Sequence, residues 1–519
     1  MLPRIWCAAK RTMVWKGGTE DGMAECERCE PRDEPLTLDP HDWDGMRTLG
    51  HRMVDELIEF TRTVRERRVW QPMPESAKRA IERDLPLAGV GAEQAYREFA
   101  EHVLPYPWGN IHPRFWGWVV GSGSPFGMLS EMATAAMNTN ASFGEQSAIY
   151  IERQVVEWFR QLFGYPESSS GILMSGGSMA NLIGLAVARH TATDGRVKEH
   201  GVEALERPLR VYGSAETHSS VVKALQLLGL GGRAFVPVAV RADFAIDVDA
   251  LRQQIAADRA AGMQPICVVG NAGTVNTGAF DDLSALANLC AEEKLWLHVD
   301  GAFGALAVLC PKLRPLVKGM ERSDSLAFDL HKWLHVPYDV GGVLVRDAAQ
   351  HHATFSSDAS YLAEVRGGIN EGPQAYNQLG PELSRGFRGL KAWMTIREQG
   401  FEKLGKLVKQ NVDQAAYLAA LIERDDALQL VAPVPLNVVC FRYVHADAAE
   451  DSLNALNVEL LNRLQRSGKA LPSHTMIDGR FVLRVAITNH RSRDEDFELL
   501  VSEVVKLGRV LVGHETDPT

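Results

Sequence analysis

Apolar residues show no periodicity over residues 1–35, which are rich in charge and glycine and predict a flexible extension. From residue 42 to 68 the apolar positions Met46, Leu49, Met53, Leu57, Ile58 and Phe60 recur at helical spacing. Pro72 and Pro74 follow, then a second helical segment and a third over residues 92–102. Such helices leave apolar faces bare, which predicts a partner subunit against them. Residues 111–120, IHPRFWGWVV, form an aromatic stretch leading into glycine-rich 121–124. Residues 152–163 predict another helix, closed by Gly164 and Pro166. From 171 to 346 short apolar runs alternate with helical patterns, the mark of an α/β domain around a largely parallel sheet.

Ligands of such sheets sit at the carboxyl ends of strands. The first end lies in GILMSGGSMANLIGLA, 171–186, where Ser175, Gly176, Gly177 and Ser178 precede a helix. That turn either cradles an anion on free helix amides or is an ordinary turn with Ser178 as cap. It has neither the lysine of a nucleotide P-loop nor a dinucleotide fingerprint. The second, YGSAETHSS at 212–220, sets His218 at a helix start, either structural or able to stack on a ring or move a proton. The third, GNAGTVNTGAF at 270–280, suits a ligand loop or a plain turn.

The fourth, LWLHVDGAFGA at 295–305, ends an apolar strand on Asp300. A carboxylate there needs a positive partner or a capping role, and a protonated pyridine nitrogen is one such partner. Ala302 leaves room for a flat ring. Then comes SLAFDLHKWLHVPYDVGG, 325–342, an apolar run ending in a polar elbow with Lys332. That lysine either snorkels to solvent or holds its amine in a cleft, at depressed pKa, to condense with a carbonyl.

Composition narrows the class. The 519 residues are 45% hydrophobic and 23% charged, as in ordinary globular proteins, and can fill two or three domains. A net charge of -11 with no long basic run argues against a nucleic-acid partner. No stretch has the apolar length of a membrane span, and Lys10, Arg11 and Lys16 interrupt the start, so a cytoplasmic location is expected. Seven cysteines are too sparse for a disulfide framework, and the single C-x-x-C of Cys26 and Cys29 does not make a zinc site; no metal is expected.

Taken in order, the HVDGA of 298–302 and the HKW of 331–333 resemble the group II pyridoxal-phosphate decarboxylases, in particular the aromatic-L-amino-acid branch. The resemblance spans residues 38–508. It implies the type I aminotransferase-like fold, a homodimer, and the cofactor pyridoxal 5'-phosphate. It also implies a helical dimerisation segment at 36–122, a large cofactor domain of mostly parallel sheet at 123–392 and a small α+β domain at 393–519. Lys332 becomes the Schiff-base lysine, Asp300 the partner of the pyridine nitrogen and His218 the ring-stacking histidine. Ala302 lies against the ring, and Gly177, Ser178 and His331 hold the phosphate. Residues 361–391 resemble a lid, ending in SRGFRGLK, and Tyr376, eleven residues before Phe387, takes the place of the lid tyrosine that protonates the substrate carbon. Two departures stand out. Asp329, counted among the cofactor-binding residues, replaces an asparagine near the phosphate, where an extra carboxylate is repulsive unless it turns away to hold backbone; Val275 replaces a threonine, whose hydroxyl Thr274 can supply.

The implied reaction is decarboxylation of an L-amino acid, aromatic in the first place, in a pocket lined by Trp116, Trp118 and Phe143. Branched aliphatic substrates would fit similar surfaces, since one methylene is worth only about 1–3 kcal/mol. A decarboxylating aldehyde synthase is the first rival, disfavoured by the pairing of His218 with Tyr376. An aminotransferase would need an arginine clamp, for which Arg385, Arg388 and Arg484 are candidates. A protein that kept the fold for binding alone would be expected to lack the lysine or the aspartate.

Overall fold

The computed structural model describes residues 36–357, 368–446 and 448–513. The extension expected at 1–35 and the start of the lid, 361–367, lie outside the described residues. Residues up to 53 form one unit and residues from 54 onward another. The first contributes the start of the helix Trp43–Arg62, capped where the Asp42 carboxylate accepts from the Gly45 amide at 2.9 Å. Trp43 and Met46 are exposed on that helix, and Ile58 on its later turns, as the sequence predicts for an unpartnered face.

The second unit carries two sheets. The first strand, Phe115–Trp116 (β1), belongs to the smaller one. The larger sheet is built from Ser170–Met174 (β2), Leu209–Ser214 (β3), Phe235–Val238 (β4), Gln264–Asn271 (β5), Trp296–Asp300 (β6), Ser325–Asp329 (β7) and Gly341–Val345 (β8). Its order is β2-β8-β7-β6-β5-β3-β4; β8 runs antiparallel to both neighbours and the other pairs are parallel. Helices cover both faces, so the central strands read as unbroken apolar runs rather than alternating ones. Every residue of β7 and β8 is buried. With β2, β3, β5, β6 and β7 parallel, their carboxyl ends fall on one edge, where residues 175–178, 215–218, 272–275, 301–302 and 330–332 follow.

Leu428–Leu430 (β9), Val438–Tyr443 (β10), Leu471–Ile477 (β11) and Arg480–Ala486 (β12) complete the smaller sheet, in the order β1-β11-β12-β10-β9. The helices Glu450–Ser467 and Asp494–Leu511 supply Leu460, Leu464, Phe497 and Leu500 to its core. Trp116 belongs there too. Its ring stacks on Phe497 at 5.0 Å and its indole N–H donates to Ser492 Oγ at 3.1 Å. The larger sheet is the mostly parallel, helix-covered α/β arrangement that the patterning predicts. Among the described residues no helix is long and apolar enough to cross a membrane.

Candidate active site

The strand ends enclose a cavity of about 400 Å³ lined by Ser175, Gly176, Gly177 and Ser178, by His218 and Thr274, by Asp300 and Ala302, and by Asp329, His331 and Lys332. Glycine is required where β2 turns into the helix Gly177–Ala192. Gly176 has φ +149°, and a Cβ there would stand 2.8 Å from His331 Cε1; a Cβ on Gly177 would stand 2.8 Å from that of Ala302. The first turn of the helix leaves amides without intrahelical acceptors, beside the cavity, where an anion would satisfy them.

Lys332 Nζ lies 2.8 Å from Asp329 Oδ2. Burial pulls the lysine pKa down, but the charge and hydrogen bond of Asp329, with the charge of Asp300 behind it, outweigh burial and hold it above its ordinary value. The amine is therefore an ammonium held in the cleft by Asp329, which differs from both sequence alternatives, a lysine snorkelling to solvent and one of depressed pKa. Asp329 does not turn away to backbone either: Oδ2 takes the lysine, and Oδ1 is buried without a hydrogen-bond partner. Asp300 is 8% exposed, accepts from Asn181 Nδ2 at 2.8 Å and from the Ala302 amide at 3.2 Å, and so is held by neutral donors at the cavity floor.

His331 Nδ1 accepts from the Val340 amide at 3.1 Å, which leaves its proton on Nε2, and its ring packs on Tyr338 at 4.3 Å. Desolvation lowers the His331 pKa, partly offset by the charge of Asp329. His218 caps the helix Ser219–Leu227, its Nδ1 accepting from the Ser220 amide at 3.2 Å. Its pKa is also lowered by desolvation, against the charge of Asp300. Thr274 lines the cavity, but its hydroxyl accepts from the Ala279 amide and pairs with Thr277 within its own loop.

Three residues placed in the site by sequence are elsewhere. Trp116 is the core residue described above, and Phe143 is partly exposed outside the cavity lining. Tyr376 is 2% exposed, with the Arg385 guanidinium 5.0 Å from its ring centroid, and it lines a separate hollow with Arg153, Gln374 and Leu379. Of the rings in the aromatic stretch only Trp118 reaches the cavity, with Val119 beside it, on a backbone with φ +55° that breaks the strand after β1. Asn181, Glu216, Ser220, Asn271 and Tyr338 line the cavity without having been singled out. Asn181 had a signal: it lies one helical turn after Gly177, on the face that starts at the cradle.

The three arginines considered as a carboxylate clamp are all committed. Arg385 pairs with Glu152 at 2.6 Å, Arg388 with Glu382 at 2.8 Å, and Arg484 donates to the carbonyls of Val275 and Asn276. Among the described residues no arginine lines the cavity.

Comparison with known proteins decides the family. The model of the pyridoxal-dependent decarboxylase conserved domain matches residues 74–444. This chain belongs to that family. An aromatic-L-amino-acid decarboxylase of Bacillus atrophaeus is 32% identical to this decarboxylase over 89% of its chain and 95% of the relative. A phenylacetaldehyde synthase of Arabidopsis thaliana is 29% identical, over 87% of this chain and 93% of the relative. The solved structure of Oryza sativa TDC with PLP and tryptamine superposes with a TM-score of 0.84 at 27% identity, over 91% of this decarboxylase and 99% of that chain.

The family's cofactor, pyridoxal phosphate, fits the residues present. The aldehyde has an amine in Lys332, the ring nitrogen a carboxylate in Asp300, and the phosphate a glycine turn at a helix start. Tight contact between Gly177 and Ala302 leaves a smooth wall for a ring. Asp329 is the one discordant group, a carboxylate with an unpaired oxygen in the same cradle.

Proposed function

We propose that this decarboxylase removes carbon dioxide from an aromatic L-amino acid, giving the primary amine, and that it works as a cytoplasmic homodimer. One observation carries the substrate class: the cavity that gathers Lys332 and Asp300 is walled by Trp118 and Tyr338, both half exposed, and has no arginine among its described lining residues. Flat apolar walls favour an aromatic side chain, and the missing clamp favours loss of the substrate carboxylate over its retention.

When bound, pyridoxal phosphate supplies an electron sink for the pair left by carbon dioxide. The protein's own groups do the rest. Lys332 would hold the cofactor through its amine, and Asp329, 2.8 Å away, would take the proton that the amine must lose. Asp300 holds a proton on the pyridine nitrogen. Ser178 and the amides after Gly177 take the phosphate, with His331 beside them, and Ala302 and His218 fix the plane of the ring. Trp118 keeps water from the substrate carboxylate, which disfavours the charged form and favours neutral carbon dioxide. Of the two proton donors suggested by sequence, His218 is the one at the cavity. The chain is organised as a helical segment to residue 122, a cofactor domain to 392 and a small domain beyond.

The cytoplasmic assignment is supported by four described cysteines, Cys267, Cys290, Cys310 and Cys440, which are buried and unpaired. A second product is also supported, the aldehyde, because the Arabidopsis relative is an aldehyde synthase and Tyr376, now outside the cavity, no longer argues against it. The experiment is to give the cofactor-loaded enzyme tryptophan, phenylalanine, tyrosine and dihydroxyphenylalanine, with leucine, isoleucine and valine beside them, and to follow carbon dioxide, amine, aldehyde and peroxide together. Equal amine and carbon dioxide is the expected result. Aldehyde with peroxide would replace it by the second reaction, and turnover of aliphatic amino acids alone would overturn the aromatic assignment.

A further inference from the structure

Behind Asp300 lies a chain of hydrogen-bonded side chains, buried at Ser325, His298, Asn181 and Ser220, whose donors and acceptors can be ordered. Trp296 Nε1 donates to Ser325 Oγ at 2.8 Å, and Ser325 Oγ lies 2.8 Å from His298 Nδ1. His298 Nε2 lies 2.9 Å from Asn181 Oδ1. Asn181 Nδ2 then forks, to Asp300 Oδ2 at 2.8 Å and to Ser220 Oγ at 3.0 Å, and Ser220 Oγ meets His218 Nδ1 at 2.7 Å.

Direction follows from chemistry. An indole N–H only donates and a carboxylate only accepts. Asn181 must therefore turn its amide nitrogen to Asp300 and its oxygen to His298, so His298 carries its proton on Nε2. Burial pulls the His298 pKa down to about 4, against the charge of Asp300, so the ring is neutral and its Nδ1 has to accept; Ser325 supplies that hydrogen. At the far end Ser220 already accepts from Asn181 and donates to His218 Nδ1, which the Ser220 amide also addresses, so His218 keeps its proton on Nε2.

The space for this chain is built in. His298 is fully buried, and a Cβ on Gly184, in the helix that carries Asn181, would stand 2.6 Å from its ring. Only glycine there admits the imidazole.

We propose that Asn181 and His298 are positioning residues, which through this directed chain aim Asp300 at the pyridine nitrogen of the cofactor and keep that nitrogen protonated. The inference rests on the placement of Asp300 in the proposed function. Asn181 lines the cavity and His298 lies one hydrogen bond behind it; both act through the carboxylate, as outer-shell partners do for other ligands.

The test uses the holoenzyme loaded with pyridoxal phosphate labelled with ¹⁵N in the ring, whose chemical shift reports protonation of that nitrogen. In Asn181→Leu and His298→Leu the shift should move towards the unprotonated value, with cofactor affinity falling on the order of tenfold to a hundredfold, the scale of one lost bond to a charged group. His298→Gln, which can donate to Asn181 and accept from Ser325, should restore the shift of the unaltered enzyme. Ser325→Ala removes only a hydroxyl and covers the case in which the leucine variants fail to fold; it should move the shift in the same direction by less. A shift unmoved in these variants, with only the melting temperature lowered, would overturn the inference. Asp300→Asn separates it from its premise: if that variant leaves the shift unmoved, the placement of Asp300 itself fails, whereas movement there and none in the others sinks the positioning role alone.

Discussion

Lys332 and Asp329 show how one carboxylate sets the availability of an amine. Only a neutral amine condenses with an aldehyde, and Asp329 raises the lysine pKa against burial. Removing that charge in Asp329→Asn lowers the pKa, so the neutral fraction at any pH below it rises. Cofactor uptake, followed by absorbance over a pH series, should then extend to lower pH; an unchanged profile would mean that the pair in the cleft does not control the lysine. Tyr376 gives the opposite kind of expectation. Its ring belongs to the buried apolar cluster that also holds Ile149, Ile172 and Met174, and it does not line the cavity. Tyr376→Phe should leave the ratio of amine to aldehyde unchanged, and a switch to aldehyde would return Tyr376 to the chemistry. Spacing from Phe387 assigns it to the lid because distance along a chain carries no direction in space. Trp116 misleads for a related reason: in a strand of two residues alternation has no length in which to show which ring faces the core.

At the scale of elements the strand ends were the legible part. Gly176, Asp300 and Lys332 each break an apolar run where a buried strand should continue into an apolar turn, and such local conflicts mark function. What joins the ends sideways was not legible, because Asn181, His298 and Ser325 look like ordinary polar residues within a helix and two strands. The same holds for the edge of the sheet. β2 is an edge strand, and its Leu173 amide donates to Glu152 at 2.9 Å while its carbonyl accepts from Arg385 at 2.7 Å. The two side chains, both almost fully buried, pair at 2.6 Å and close the edge against a foreign strand. Arg385→Met strands Glu152 and should cost about 3–5 kcal/mol in urea unfolding. A loss below about 1 kcal/mol, the value of an exposed pair, would show that the edge is closed by other means.

For the whole molecule, exposed apolar residues bear on assembly. Leu85, Leu87 and Val90 in the second unit, and Trp43 in the first, are each more than half exposed. Such residues favour a stable dimer, and sedimentation should give twice the chain mass at micromolar concentration; a monomer there would contradict the homodimer. The fold itself follows from patterning, since unbroken apolar runs alternating with helices leave few arrangements other than a covered parallel sheet. The second, smaller sheet was less legible, because β1 comes from residues 115–116 and pairs with β11 more than three hundred residues later.

The central claim is that this one cavity carries the cofactor on Lys332. Reduction of the pyridoxal-phosphate-loaded enzyme with borohydride, followed by peptide mass mapping, tests it most directly. A single phosphopyridoxyl adduct on Lys332, absent in Lys332→Ala, is the predicted result. An adduct on another lysine, or one that persists in Lys332→Ala, would contradict it.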